Sequence, residues 1–219
     1  MKFISSRVIQ HFAETSKTVV IKPRAIPNPS PDPSPDEDDF SRYYNATTNP
    51  SSPEDSQPPV KDPVTDRPIG TGYGSDVLIE FNPGVYGDAM EAYRANPNHR
   101  QYWVRLWSDR VLLHELVHAL SDVSGHNAVS ETGPAGYKNL EEFAATVVTN
   151  VCVSETGGSI DDLMEYGGQR SPLLLANGQA FYNRYRLYMQ NVCMNHRLLA
   201  RELKAATGIR HNAFIYCDV

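Results

Sequence analysis

The sequence predicts an α+β fold, because short β-branched segments concentrate before residue 85 and helical periodicity takes over from residue 99 onward. Two stretches carry that reading. "GSDVLIEFNPG" (74–84) is apolar and β-branched, flanked by glycine and closed by an Asn-Pro-Gly turn, which is the pattern of a strand. "SDRVLLHELVHALSDVSG" (108–125) repeats its apolar residues at helical spacing, with Ser108 or Asp109 as N-cap candidate and Gly125 placed to end it. A chain of 219 residues can bury one sizeable core, with or without a tail.

Taken in order, "SSRVIQHFAETS" (5–16) sets Val8, Ile9 and Phe12 at helical spacing, and "KTVVIKP" (17–23) follows as a short strand stopped by proline. Residues 1–22 are therefore expected to pack on the core as helix and strand. Twelve of the sixteen prolines lie before residue 70, and "IPNPSPDPSPDEDD" (26–39) alternates them with polar and acidic residues. Missing amide donors and little apolar surface make residues 23–70 an expected flexible loop or linker, a spacer or a docking segment. If the early elements join the later ones, that stretch is an excursion from one fold. Residues 71–219 hold the main domain. "NLEEFAATVVTNVCV" (139–153) reads as a helix capped by Asn139, and residues 173–208 as one or two more, interrupted near Asn177-Gly178. Trp103 and Trp107, one turn apart, are expected in the core.

Composition excludes several function classes. A formal net charge of −6 with only scattered arginines argues against nucleic acid as a partner. No apolar run approaches the ~18 residues of a membrane span, so no membrane partner is expected. "MKFISSRVIQHF" lacks the apolar region of a standard signal peptide. Cys152, Cys193 and Cys217 show no C-x-x-C spacing and are expected as buried, reduced thiols.

The chemistry concentrates in "LLHELVHALSDVSGH" (112–126). At about 100° per residue, Leu113, Leu116, Val117 and Leu120 share one face while His114, His118 and Asp122 share the other, with Glu115 beside them. Two imidazoles one turn apart can reach one metal ion, and the adjacent carboxylate lands near its open side. That is the arrangement H-E-x-x-H needs and a strand could not supply. Chance matches occur, but chance does not set the ligands opposite an apolar stripe on a capped helix. A catalytic zinc takes a third protein ligand. Ser121 and Ser124 stand where a metzincin needs glycine and histidine, so the third ligand is sought in the next helix, at Glu141 or Glu142. Glu142 shares a face with the small residues Ala145, Thr146 and Thr149, which favours it. The other glutamate is expected to be a spare, solvent-facing carboxylate complementing the helix dipole. Asp122 is a candidate to accept the proton of the free ring nitrogen of His118, or else a surface carboxylate. Tyr137, on the loop entering the second helix, is a candidate oxyanion donor, with packing as the alternative. His126 and the Arg210-His211 pair are weaker candidates.

"HELVHALSD" resembles the H-E-L-x-H-A-x-x-D segment of thermolysin-like gluzincins, and "NLEEFAATVVTN" resembles the E-E-F-x-A helix of short secreted zinc proteases, including the lethal-factor type. The order of the 74–84 strand, the H-E-x-x-H helix and "GYKNLEEFAATVVTN" followed by "SE" is similar to the NleD-like effector peptidases, a family that includes Rhs-type toxin tips. The likeness covers roughly residues 70 to 160. It implies a small zincin-like metallopeptidase domain with zinc on His114, His118 and Glu142 (or Glu141) and Glu115 as base. It further implies a bacterial protein, secreted without a standard signal peptide, acting as a monomer on a protein in the target-cell cytosol. Known members cut stress-activated protein kinases. The strand around residues 77–81 is expected to be the sheet edge beside the cleft, to which a peptide substrate would add as an antiparallel strand. The proline-rich insertion and the C-terminal helices depart from the pattern where specificity would be built. Two alternatives stand beside this expectation: a non-catalytic module stapled by zinc, and an interbacterial toxin tip with a bacterial substrate.

Overall fold

The computed structural model describes residues 3–24, 46–59, 70–83, 108–129, 131–157 and 177–219. Alternation builds its sheet. In β3 (Val77–Glu80), Val77 and Ile79 are buried while Leu78 and Glu80 are half-buried on the other face. β1 (Val19–Lys22) pairs parallel with β3, Val19 opposite Val77, and β2 (Thr47–Pro50) pairs antiparallel, Thr48 opposite Ile79. The order β1-β3-β2 makes β3 the middle strand, which corrects the expectation that residues 77–81 form a sheet edge. Among the described residues the edges are β1 and β2.

That correction originates inside the stretch read as a linker. Residues 46–59, within 23–70, contribute β2 and a one-turn helix α2 (Pro53–Ser56) to the fold. "TTNP" carries no apolar alternation, so nothing in its sequence announces a strand. Its prolines stand where the backbone tolerates them: Pro50 ends an edge strand, and Pro53 opens a helix whose first amides need no partner. The proline-rich stretch is thus an excursion from one fold; residues 25–45 and 60–69 of it lie outside the described residues.

α1 (Phe3–Phe12) lays Val8, fully buried, toward α3 (Ser108–Ser124). Trp103 and Trp107, ahead of α3, lie outside the described residues. Leu113, Leu116, Val117 and Leu120 form the predicted apolar stripe of α3, and Val111 and Val123 are buried beside it. His114 and Ser121 are buried where α4 (Leu140–Glu155) packs against α3, and Glu115 and Asp122 are buried too, Glu115 against Thr48 of β2 and Asp122 against Asn127. Ala145, Thr146 and Thr149 of α4 are buried small residues, which let the two backbones approach.

The end of α3 is a Schellman motif, with His126 N–H donating to Ser121 O and Gly125 N–H to Asp122 O, and Gly125 at φ +69. Gly74, at φ +74 in the loop before β3, runs so close to this end that a Cβ there would land on the Val123 carbonyl. Gly74→Ala should therefore lower stability by more than ~1 kcal/mol, read as a falling midpoint in urea unfolding.

The C-terminal region holds three helices where one or two were expected: α5 (Gly178–Arg184), α6 (Arg186–Asn195) and α7 (Arg197–Ala205). Asn177 caps α5, accepting from Ala180 N–H. The breaks fall at Tyr185 and His196, with neither glycine nor proline to mark them. Cys193 and Cys217 form a disulfide, which corrects the expectation of reduced thiols; Cys152 keeps its thiol and is half-buried. The two half-cystines are 24 residues apart in sequence, and only the packing of the chain end on α6 brings them together. Among the described residues, no helix is long and apolar enough to cross a membrane.

Candidate metal centre

The site grows from the start of one helix and the middle of another. Asn139, the α4 cap, accepts from the backbone N–H of Glu142 at 2.8 Å and so fixes the first turn of α4 against α3. From there Glu142 reaches both histidines. Its Oε2 lies 3.2 Å from His114 Nε2 and 3.5 Å from His118 Nε2, and the two Nε2 atoms are 3.0 Å apart. The rings meet edge to face, with centroids 4.6 Å apart.

This triangle has the dimensions of a ligand set. Donors ~2.0–2.1 Å from a zinc-sized ion at tetrahedral angles are ~3.3 Å apart. The three edges scatter around that value. Protons serve the cluster less well. Two facing imidazole nitrogens can share one proton between them, whereas a divalent cation satisfies both lone pairs and the carboxylate together. His114, His118 and Glu142 thus form a group that could hold a metal ion. Two imidazoles and a carboxylate suit zinc and several of its first-row neighbours.

The second glutamate is not spare. Glu141 leaves only 4% of its side chain exposed, against 21% for Glu142, and its Oε1 lies 3.2 Å from His118 Nδ1. Consecutive helical residues point about 100° apart, so the pair straddles one imidazole, Glu142 on Nε2 and Glu141 on Nδ1. Ser121 Oγ–H and Ala128 N–H also donate to Glu141, at 2.6 and 3.1 Å. Asp122, the residue expected to support His118, is engaged elsewhere: Asn127 Nδ2 donates to it at 2.6 Å. Burial pushes its pKa up to about 6, with Asn127 opposing the shift. The helix-face argument picked Glu142 and left Glu141 spare; the rotation of α4 against α3 brings both to the histidines.

Glu115 sits one residue after His114, and the hydroxyl of Thr48 on β2 donates to its Oε2 at 2.6 Å. That contact holds the carboxylate at a defined rotamer beside the edge strand. The ring of Tyr137 is held by packing. It meets Phe143 edge-on at 5.0 Å and Tyr185 at 6.2 Å, in an aromatic cluster that Phe181 completes by stacking on Phe143 at 5.8 Å. Those contacts account for the residue as packing, and the oxyanion assignment finds no support in them. His126 has its ring 6.5 Å from that of His196, and Arg210-His211 lies in the loop between α7 and the closing 3-10 turn.

No family model, curated protein or solved structure matches the chain. The resemblance to effector peptidases rests on the motifs alone.

The electrostatics set a sign for metal binding. Burial opposes charge on His118, but Glu141 and Glu142 outweigh it and raise its pKa well above the ordinary imidazole value. Burial likewise opposes charge on Glu142, yet His114 and His118 hold it below the usual carboxylate range. At pH 7 the metal-free chain therefore carries its proton on His118, and a cation must displace it. Zinc titration in buffers of differing ionisation enthalpy should show about one proton released per ion, with affinity falling as pH drops. In the metal-free chain, the stability due to charged His118 is complete below pH ~6.5 and is lost as pH rises through its raised folded value; that due to Glu142 is present above pH ~4.5 and lost in acid.

Proposed function

We propose that this chain is a zinc-dependent endopeptidase, a secreted bacterial effector or toxin that cuts a protein in the cytosol of its target cell. One observation carries the reading: the triangle of His114 Nε2, His118 Nε2 and Glu142 Oε2, with a carboxylate, Glu115, on the same helix turn. His114, His118 and Glu142 would hold the ion. Zinc bound there supplies a water of lowered pKa, near ~7, and polarises a carbonyl oxygen. Glu115 accepts the water proton and delivers it to the leaving amine. Thr48 occupies Oε2 of Glu115, which leaves Oε1 as the proton-accepting atom.

The substrate would lie as an added strand on the outer edge of β2, the sheet edge that reaches Glu115 among the described residues. This replaces the 77–81 strand, whose two edges are both paired. A protein kinase is one substrate class that the motif likeness suggests; a bacterial protein, cut by an interbacterial toxin tip, is the other.

The burial of the group speaks for a second reading, in which zinc only staples α3 to α4: His114 and Glu115 are each just 9% exposed. The experiment that separates the two is metal analysis of purified protein joined to a search for new protein termini in cells expressing wild type or Glu115→Gln. New termini confined to wild type, with zinc in both proteins, support the peptidase; zinc in both and new termini in neither support the staple.

A further inference from the structure

The described residues treat the two candidate ligand histidines unequally. His114 Nδ1 is buried and has no hydrogen-bond partner among them. His118 Nδ1 faces the carboxylate of Glu141 at 3.2 Å. Glu141 is in turn fixed from two further directions: Ser121, three residues after His118 on α3, donates its hydroxyl to Oε1 at 2.6 Å, and the amide of Ala128 in the following loop donates to Oε2 at 3.1 Å. The chain continues outward, since Ser121 Oγ lies 3.3 Å from His196 Nε2 at the break between α6 and α7. With the serine proton spent on Glu141, that nitrogen is the donor.

We propose that Glu141, clamped by Ser121 and the Ala128 amide, is a positioning residue that turns Nε2 of His118 toward His114 and Glu142 and thereby sets the affinity for the metal. The proposal rests on the metal site itself, and it gives adjacent glutamates separate tasks. With one proton held on Nδ1 by Glu141, the proton a cation displaces is that on Nε2, which puts the lone pair on the atom in the triangle. Any rotation of the His118 ring would strip a buried carboxylate of one of its three donors, so the orientation is fixed before a metal arrives. The clamp also joins α4 to α3 and to the loop after it, which makes the ring's setting a property of the packed helices.

The test is zinc titration of the full chain against a chromophoric chelator, with cobalt(II) spectra as second readout. Wild type should bind one ion. Glu141→Gln, which keeps the shape and removes the charge, should still bind one ion but 10–100-fold more weakly, with a shifted cobalt spectrum. Ser121→Ala, a smaller change that leaves Glu141 in place, should weaken binding several-fold. Glu142→Gln should lose stoichiometric binding. If Glu141→Gln and Ser121→Ala both fold and bind zinc within twofold of wild type, the positioning role is overturned while the site stands. If wild type itself binds no zinc, the metal site falls, and this proposal with it.

Discussion

Glu115→Gln is expected to retain one zinc per chain and to lose peptide hydrolysis by ~10²–10⁴-fold, the usual contribution of a positioned acid–base group. The amide replaces one carboxylate oxygen with a group that cannot accept the water proton. It preserves volume, and Thr48 Oγ–H can still donate to the remaining amide oxygen. Zinc should stay because Glu115 contributes no atom to the triangle of His114, His118 and Glu142. Once new termini have identified a substrate, the loss is read directly as a rate on that substrate. A variant as active as wild type would remove Glu115 from the mechanism, whatever the metal does.

Glu142→Ala should act on the metal first. It deletes the carboxylate that touches both Nε2 atoms and leaves two facing imidazoles that can share a proton. Wild type in zinc 1,000-fold above its dissociation constant should gain ~4 kcal/mol by mass action, a rise of about 10 °C in melting temperature for a domain of this size. The variant should show no such rise. Without zinc it should fold, because Asn139 still caps α4 through the residue-142 amide, and Ala145, Thr146 and Thr149 still pack on α3. A zinc-dependent rise in Glu142→Ala equal to that of wild type would exclude Glu142 as ligand and turn attention to Glu141.

How much of this was legible beforehand follows the range of the interactions concerned. The H-E-x-x-H helix, its Gly125 end, the Asn139 cap and the grouping of His114 and His118 with Glu142 are local patterns or helix-face arguments, and each was readable within a few turns of chain. The task of Glu141 was not, because it depends on how α4 is rotated against α3 and on a serine that sequence reading took only as evidence against another ligand pattern. β2 escaped because its four residues pair through the backbone with a strand about thirty residues away and owe nothing to side-chain alternation. The Cys193–Cys217 disulfide escaped for the same reason, its partners being joined only by tertiary packing. Tyr137 was picked for its proximity in sequence to Glu142, and its ring packs on Phe143.

The central claim, one divalent ion on two imidazoles and one carboxylate, is tested most directly by zinc-edge X-ray absorption on the purified chain carrying a single equivalent of zinc. The account predicts a first shell of nitrogen and oxygen at ~2.0–2.1 Å with the outer-shell scattering of two imidazoles, falling to one in His118→Ala. A shell containing sulfur, a shell without imidazole, or no stoichiometric zinc would contradict it.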